Sequence, residues 1–366
     1  MSTFSLNDNQ RQIKDSMHRF AVDEIRPLAE QGDEDGVMSA AFLEKSWQLG
    51  LSTSVIPEDY GGYGFDRSVL DNVIMIEELA WGDLSMGIAM ITPNLFVLPV
   101  LEMGSDEQQR RCLPGFCEET YAAGSLAIME HSPRFDVSNI RTTAKRASDH
   151  YVINGEKCLV PMADNARCFI VIATEDPGSG YGGVGAFIVE KGTRGLKVKA
   201  REKNMGLHAL ESFRVGFSDL EVPLENRIEG FDYTRLIACS RIGLAAAANG
   251  VAEASKEYCL DYAKQRDAFG FPIATRQSIA FMLADMAIEA DASRLLTLEA
   301  AWTADRGENA LRMAYLAKDY AASKAFKTAD MGVSIMGGHG LIREYPVERW
   351  FRNARAFSML EGMIMA

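Results

Sequence analysis

Apolar positions recur every three or four residues over the first third of the chain, every second residue over the middle, and every three or four again to the end. Residues 1 to about 122 therefore read as helical. Asn7 with Gln10 three residues on is a capping-box variant, and Ile13, Met17 and Phe20 share one face before Pro27 ends the run. Phe42 to Leu49 and Ser68 to Leu79 follow as amphipathic helices, with the turn-rich Ile56-Pro57-Glu58-Asp59-Tyr60-Gly61-Gly62 between them. Gly82 to Val100 is apolar and interrupted by Pro93 and Pro99, which predicts buried helices broken by proline. Ser105 to Cys112 starts one more helix, which stops at Pro114.

The middle segments are short and rich in strand formers: Ala122 to Ile128, Ile140 to Arg146, Tyr151 to Leu159, Cys168 to Ala173, Val184 to Glu190, Leu196 to Ala200 and Phe213 to Leu220. Turns such as Asn154-Gly155 and Gly178-Ser179-Gly180 separate them, and the block ends near Val222-Pro223. Such spacing predicts a barrel or sandwich. Asp232 to Gln265, Ser278 to Asp305 and Ala310 to Met336 are long helices, with short C-terminal pieces as a fourth member. Ile279, Met282, Leu283, Met286, Leu295 and Leu298 form a stripe expected in the bundle core. The class is α+β: an N-terminal helical domain over 1–122, a middle β-barrel over 123–228 and a C-terminal four-helix bundle over 229–366.

Charge narrows the partners. A net charge of −13 disfavours nucleic acid and anionic membrane surfaces. Six scattered cysteines without a C-x-x-C pair fit free thiols in a reducing compartment, and five scattered histidines give no metal site. The polar N-terminus and the lack of a long apolar run predict a cytoplasmic protein with no membrane span. Near the end, Glu361 follows Ser358-Met359-Leu360 and precedes Gly362-Met363-Ile364. A carboxylate among apolar side chains is expected to bind its proton more tightly than usual and to suit proton abstraction near neutral pH; a helix-end glutamate in water is the alternative.

Eight short motifs occur in order along the chain. They are Ile56 to Gly62; Gly104-Ser105-Asp106-Glu107-Gln108 with Leu113-Pro114; Tyr151-Val152-Ile153-Asn154-Gly155-Glu156-Lys157; Met205-Gly206-Leu207; Asp219-Leu220-Glu221-Val222-Pro223; Arg266-Asp267-Ala268-Phe269-Gly270; Gly337-Gly338-His339-Gly340 with Glu344-Tyr345-Pro346-Val347-Glu348; and Glu361-Gly362. Together they resemble the acyl-CoA dehydrogenase family (medium/short-chain type) almost end to end. The resemblance implies FAD and the removal of two hydrogens from an acyl thioester. A glutamate takes the α-proton while hydride leaves the β-carbon for the flavin; Glu361 matches that base. Arg266, Phe269, Gly337 and Gly338 match the residues by which one subunit holds the phosphates and adenosine of a neighbour's FAD.

The chain departs from the family pattern where the flavin ring is expected. Family T-E-P-x-A-G-S-D is Met129-Glu130-His131-Ser132-Pro133-Arg134-Phe135-Asp136 here, placing Met129 at the Thr and Phe135 at the substrate-facing Ser. Family x-W-I-T-N is Cys158-Leu159-Val160-Pro161-Met162, placing Leu159 at the Trp and Pro161 at the Thr beside the ring. Ala238-Cys239-Ser240-Arg241 stands for D-x-x-R, keeping Arg241 as a substrate-side cation. Three functions follow: an FAD-dependent dehydrogenase with an unusual ring pocket, a non-redox isomerase, hydratase or lyase using the same base, or a flavin-poor partner subunit of a hetero-oligomer. The resemblance further implies acyl-CoA or an acyl carrier protein as substrate source, electron-transferring flavoprotein as redox partner, and a homotetramer.

Overall fold

A computed structural model describes residues 5–366. The first helical region holds α1 (Asp8–Phe20), α2 (Arg26–Asp35), α3 (Ala40–Trp47), α4 (Val69–Gly82), α5 (Leu84–Ile91), α6 (Asn94–Met103) and α7 (Asp106–Cys112). The cap expected at Asn7 starts α1, and Ser105 caps α7. The Gln10 amide donates to Asn7 Oδ1 at 2.8 Å while Asn7 N–H donates to Gln10 Oε1 at 3.1 Å, and Ser105 with Gln108 repeats the box. Pro27 does not end the run. A π-helical turn over Ala21–Ile25 resets the helix, so Pro27 falls in the first turn of α2, where a missing N–H costs no helical hydrogen bond. α5 and α6 break at Pro93 and are buried in the core; among the described residues no single helix is long and apolar enough to cross a membrane.

Seven strands follow: β1 (Ala123–Ala127), β2 (Thr143–Arg146), β3 (His150–Pro161), β4 (Ala166–Thr174), β5 (Val184–Glu190), β6 (Leu196–Arg201) and β7 (Ser212–Pro223). They make one mixed sheet in the order β1-β4-β2-β3-β7-β6, with β5 antiparallel on β4 and β1 parallel to it. The expected barrel is thus an open sheet among the described residues. Among the described residues β4 binds β2 through the single pair Thr143 and Thr174, and β6 pairs with β7 alone.

The last region holds α8 (Tyr233–Gln265), a two-stranded hairpin of β8 (Asp267–Ala268) and β9 (Phe271–Pro272), α9 (Gln277–Asp305), α10 (Leu311–Met336) and α11 (Val347–Ala356). α11 packs on α10, and α4 also lies along α8 and α9, so the first and last regions share one apolar core with the sheet. Leu295 is the exception in the α9 stripe. It is exposed, and it lines up at seven-residue spacing with exposed Phe281, Ile288 and Trp302 on the outer face.

Candidate functional site

The site is a cavity of about 880 Å³ between the sheet and the bundle. The loop 129–138, Cys158, Leu159 and Glu202 line one wall; Arg241 of α8, Tyr315 and Lys318 of α10, and Ser358 to Glu361 line the other. Met129, Phe135, Leu159, Arg241 and Glu361 line this one cavity, and Pro161 ends the strand that carries Leu159.

Glu130 fixes the loop. Its Oε1 accepts from the Thr142 amide and hydroxyl, both at 2.8 Å, and from Lys157 Nζ at 2.9 Å; its Oε2 accepts from the Arg141 amide at 2.9 Å. Burial alone would raise this carboxyl, but the Lys157 ammonium and the amides outweigh it and hold it below the usual carboxylate range. Lys157 is fully buried, and burial lowers it to about 8 despite Glu130.

The segment after it is bulged. Register with β7 shifts between Lys157 and Val160, and Leu159 and Met162 adopt φ of 50° and 51°. Left-handed backbone at a leucine and a methionine is strained and persists only where its surroundings impose it. Backbone donors of this segment are committed internally. Cys158 N–H goes to the Met129 carbonyl at 2.9 Å, Leu159 N–H to Glu202 Oε2 at 2.5 Å and Met162 N–H to the Glu211 carbonyl at 2.7 Å. Pro161 has no N–H, and its carbonyl accepts from the Ser125 hydroxyl.

Glu361 is 8% exposed. Gly362 sets its position: φ there is +68°, and a Cβ would lie 2.0 Å from Ile128 Cγ2, so only glycine fits. The Gly362 amide donates to Ser240 Oγ at 3.0 Å, and the Glu361 amide meets Met129 Sδ at 3.4 Å. The carboxylate itself is not in the apolar setting its sequence neighbours suggest. Arg241 Nε reaches Oε1 at 3.1 Å and Oε2 at 3.3 Å, Arg241 Nη2 reaches Oε1 at 3.0 Å, and Lys318 Nζ reaches Oε1 at 2.9 Å. Burial lowers Lys318 from its ordinary value, only partly offset by Glu361.

Lys318 escaped the sequence reading. Its signal is a lysine among Ala314, Ala317, Ala321 and Ala322, which form the buried face of α10. Glu202, Tyr181 and Tyr315 also line the cavity from distant segments. The D-x-x-R pattern is present earlier than Ala238, at Asp232-Tyr233-Thr234-Arg235. Asp232 caps α8, and Arg235 pairs with Glu102 at 2.6 Å. Arg241 is a separate arginine, further along the helix.

The four residues matched to dinucleotide binding are not in the cavity. Arg266 is exposed and makes no ion pair among the described residues. Phe269 is 94% exposed at φ 55°, with the Arg276 guanidinium 5.8 Å from its ring centre. A Cβ on Gly337 or Gly338 would meet nothing within 4 Å.

Three family descriptions match nearly the whole chain: acyl-CoA dehydrogenase N-terminal domain over 7–120, middle domain over 125–220 and C-terminal domain over 229–364. An acyl-CoA dehydrogenase of Bacillus subtilis (strain 168) is 34% identical over 363 residues, 98% of this chain and 95% of its own. The structure of butyryl-CoA dehydrogenase from Megasphaera elsdenii superposes with a TM-score of 0.89 at 32% identity, covering 98% of this chain and 95% of that one. The FAD complex of PigA superposes with a TM-score of 0.89 at 26% identity, with the same coverage.

Proposed function

The chain belongs to the acyl-CoA dehydrogenase family of flavoprotein oxidoreductases, and from that premise we propose that it desaturates an acyl thioester between Cα and Cβ, with Glu361 as the base. The observation that carries this reading is the Glu361 carboxylate facing a cavity large enough for an acyl thioester, on a segment that Gly362 and Ser240 hold in place. The α-proton passes to Glu361, and the electrons it leaves collect on the thioester oxygen.

FAD would accept the hydride from Cβ. The residues present fit it in two different ways. Met129 and Leu159 offer an apolar wall against which a flat ring packs, while the Cys158, Leu159 and Met162 amides are already engaged and Pro161 has none to offer the polar edge of a ring. The turn at Gly337 and Gly338, exposed Arg266 and exposed Phe269 lie outside that cavity, where they would form a cradle for the cofactor's phosphates and adenosine. Gly338 has neither a packing neighbour nor a positive φ to require glycine, which fits close approach by a group from outside the chain. The cradle serves a neighbouring copy in this reading. The exposed row Phe281, Ile288, Leu295 and Trp302 on α9 supports a homotetramer. Acyl-CoA or an acyl carrier protein supplies the substrate, and electron-transferring flavoprotein takes the electrons.

The committed donors around Pro161 favour a second reading, base chemistry at Cα without net redox. The absorption spectrum of the purified protein, with flavin quantified after denaturation, separates the two. About one FAD per chain, bleached by an acyl-CoA, supports desaturation. A colourless protein that stays apo in excess FAD but exchanges α-protons into D2O sinks desaturation and supports the second reading. A colourless protein with no exchange sinks both and leaves a partner subunit, tested by co-expression with a homologue.

A further inference from the structure

Arg241, Lys318 and Glu361 are 8%, 9% and 8% exposed, and together they carry one positive charge in excess. A buried cation without a compensating anion is costly. Other carboxylates on the cavity wall are already engaged: Glu130 by Lys157, Glu202 by the Leu159 amide and Arg214, and Asp136 by Ser138 in an exposed turn. Lys318 has three donors, of which one is used, on Glu361. A second cavity of about 340 Å³ meets the first at this cluster. The two share Tyr315, Lys318, Ser358 and Glu361, and the smaller extends past Phe326 to the exposed Arg355, with exposed Asp319 at its edge.

We propose that the acyl group taken by this site carries its own carboxylate a few carbons beyond the thioester, and that Lys318 receives it in the smaller cavity. The proposal rests on reading Glu361 as the base. The incoming carboxylate supplies the missing negative charge. It also draws Lys318 toward itself, leaving a lone pair of Glu361 Oε1 open to the α-proton. A neutral acyl chain leaves both cations on the base. Lys318 is thus a specificity-determining residue that acts through Glu361 and exchanges no proton itself.

The test pairs succinyl-CoA with butyryl-CoA, and glutaryl-CoA with pentanoyl-CoA, in the wild-type protein, Lys318→Met and Lys318→Arg. Affinity is read by calorimetry and α-proton exchange in D2O by mass spectrometry. A charge-assisted contact to Lys318 should favour the charged member of each pair by roughly tenfold or more in wild type. The preference should fall to near unity in Lys318→Met and be partly restored in Lys318→Arg. Equal affinity within each pair in wild type, a preference that survives Lys318→Met, or failure to bind any of the four overturns the proposal. Retained charge preference together with undiminished exchange in Glu361→Gln would instead overturn the base assignment and leave the anion site standing.

Discussion

The two walls of the cleft each bury a glutamate against a lysine, and they do it differently. On the sheet wall, Glu130 is met by two backbone amides, a hydroxyl and Lys157, which also donates to the Ile128 carbonyl at 3.0 Å. Two of these four donors are backbone amides, and the hydroxyl sits on the same short stretch of chain as both. On the bundle wall, among the described residues, the Glu361 carboxylate is met only by the long side chains of Arg241 and Lys318, and it also lines the cavity. A carboxylate held by backbone is a fixed strut. One held by side chains can change partners when a ligand arrives, which a base needs and a strut does not.

Substitution of each glutamate is the sharpest way to break this comparison. Glu361→Gln keeps the shape and one acceptor but cannot take a proton, so α-proton exchange should fall by roughly 10²–10⁴-fold, the usual contribution of a positioned base. Exchange at the wild-type rate would remove Glu361 from the chemistry. Glu130→Gln should act on the fold instead. It leaves Lys157 fully buried without a counter-charge, which costs about 3–5 kcal/mol, read as a lower denaturant midpoint. If Glu361→Gln lost as much stability as Glu130→Gln, the distinction between strut and base would fail.

Acidification sharpens the same point more gently. The Glu130 carboxyl is held below its unfolded value of about 4.3, so the folded state binds its proton later than the unfolded state does. Its stabilising contribution is complete above that value and is lost as pH falls through the folded one. Denaturant midpoints of wild type and Glu130→Gln, compared at neutral pH and below about pH 4, should therefore converge on acidification. A gap that stays constant over that range would mean that Glu130 does not contribute as a carboxylate.

Much of this arrangement was legible in the sequence, for reasons that differ between residues. The cap at Asn7, the helix from Ser105, strand alternation and the long helices depend on local spacing, and they stand as expected. Glu361-Gly362 was legible only as a motif, and the physical cause of its glycine, the Ile128 side chain, appears only in three dimensions. Pro27 misled because its effect depends on where a helix restarts, and the π-turn before it leaves no local signature. Barrel closure misled because strand composition reports faces, not which edges meet. Lys318 went unseen because its partner is 43 residues away, although a lysine on an alanine face asks for one.

Gly338→Ala gives the smallest effect on stability, and set beside Gly362→Ala it gives the finest contrast between inner cavity and outer cradle. Gly362→Ala would force a Cβ to within 2.0 Å of Ile128 Cγ2 at a φ of +68°, so the segment carrying Glu361 must shift. Gly338→Ala adds a Cβ that meets nothing in its own chain. Stability should then stay within about 0.5 kcal/mol of wild type, as for an unencumbered surface site. If the turn lies against a cofactor held by a neighbouring copy, the same methyl intrudes on that contact. Bound FAD per chain should drop while the denaturant midpoint of the apoprotein holds. An unchanged FAD content in Gly338→Ala would show that the outer turn holds no cofactor, and any flavin would then rest on the apolar wall of Met129 and Leu159 alone.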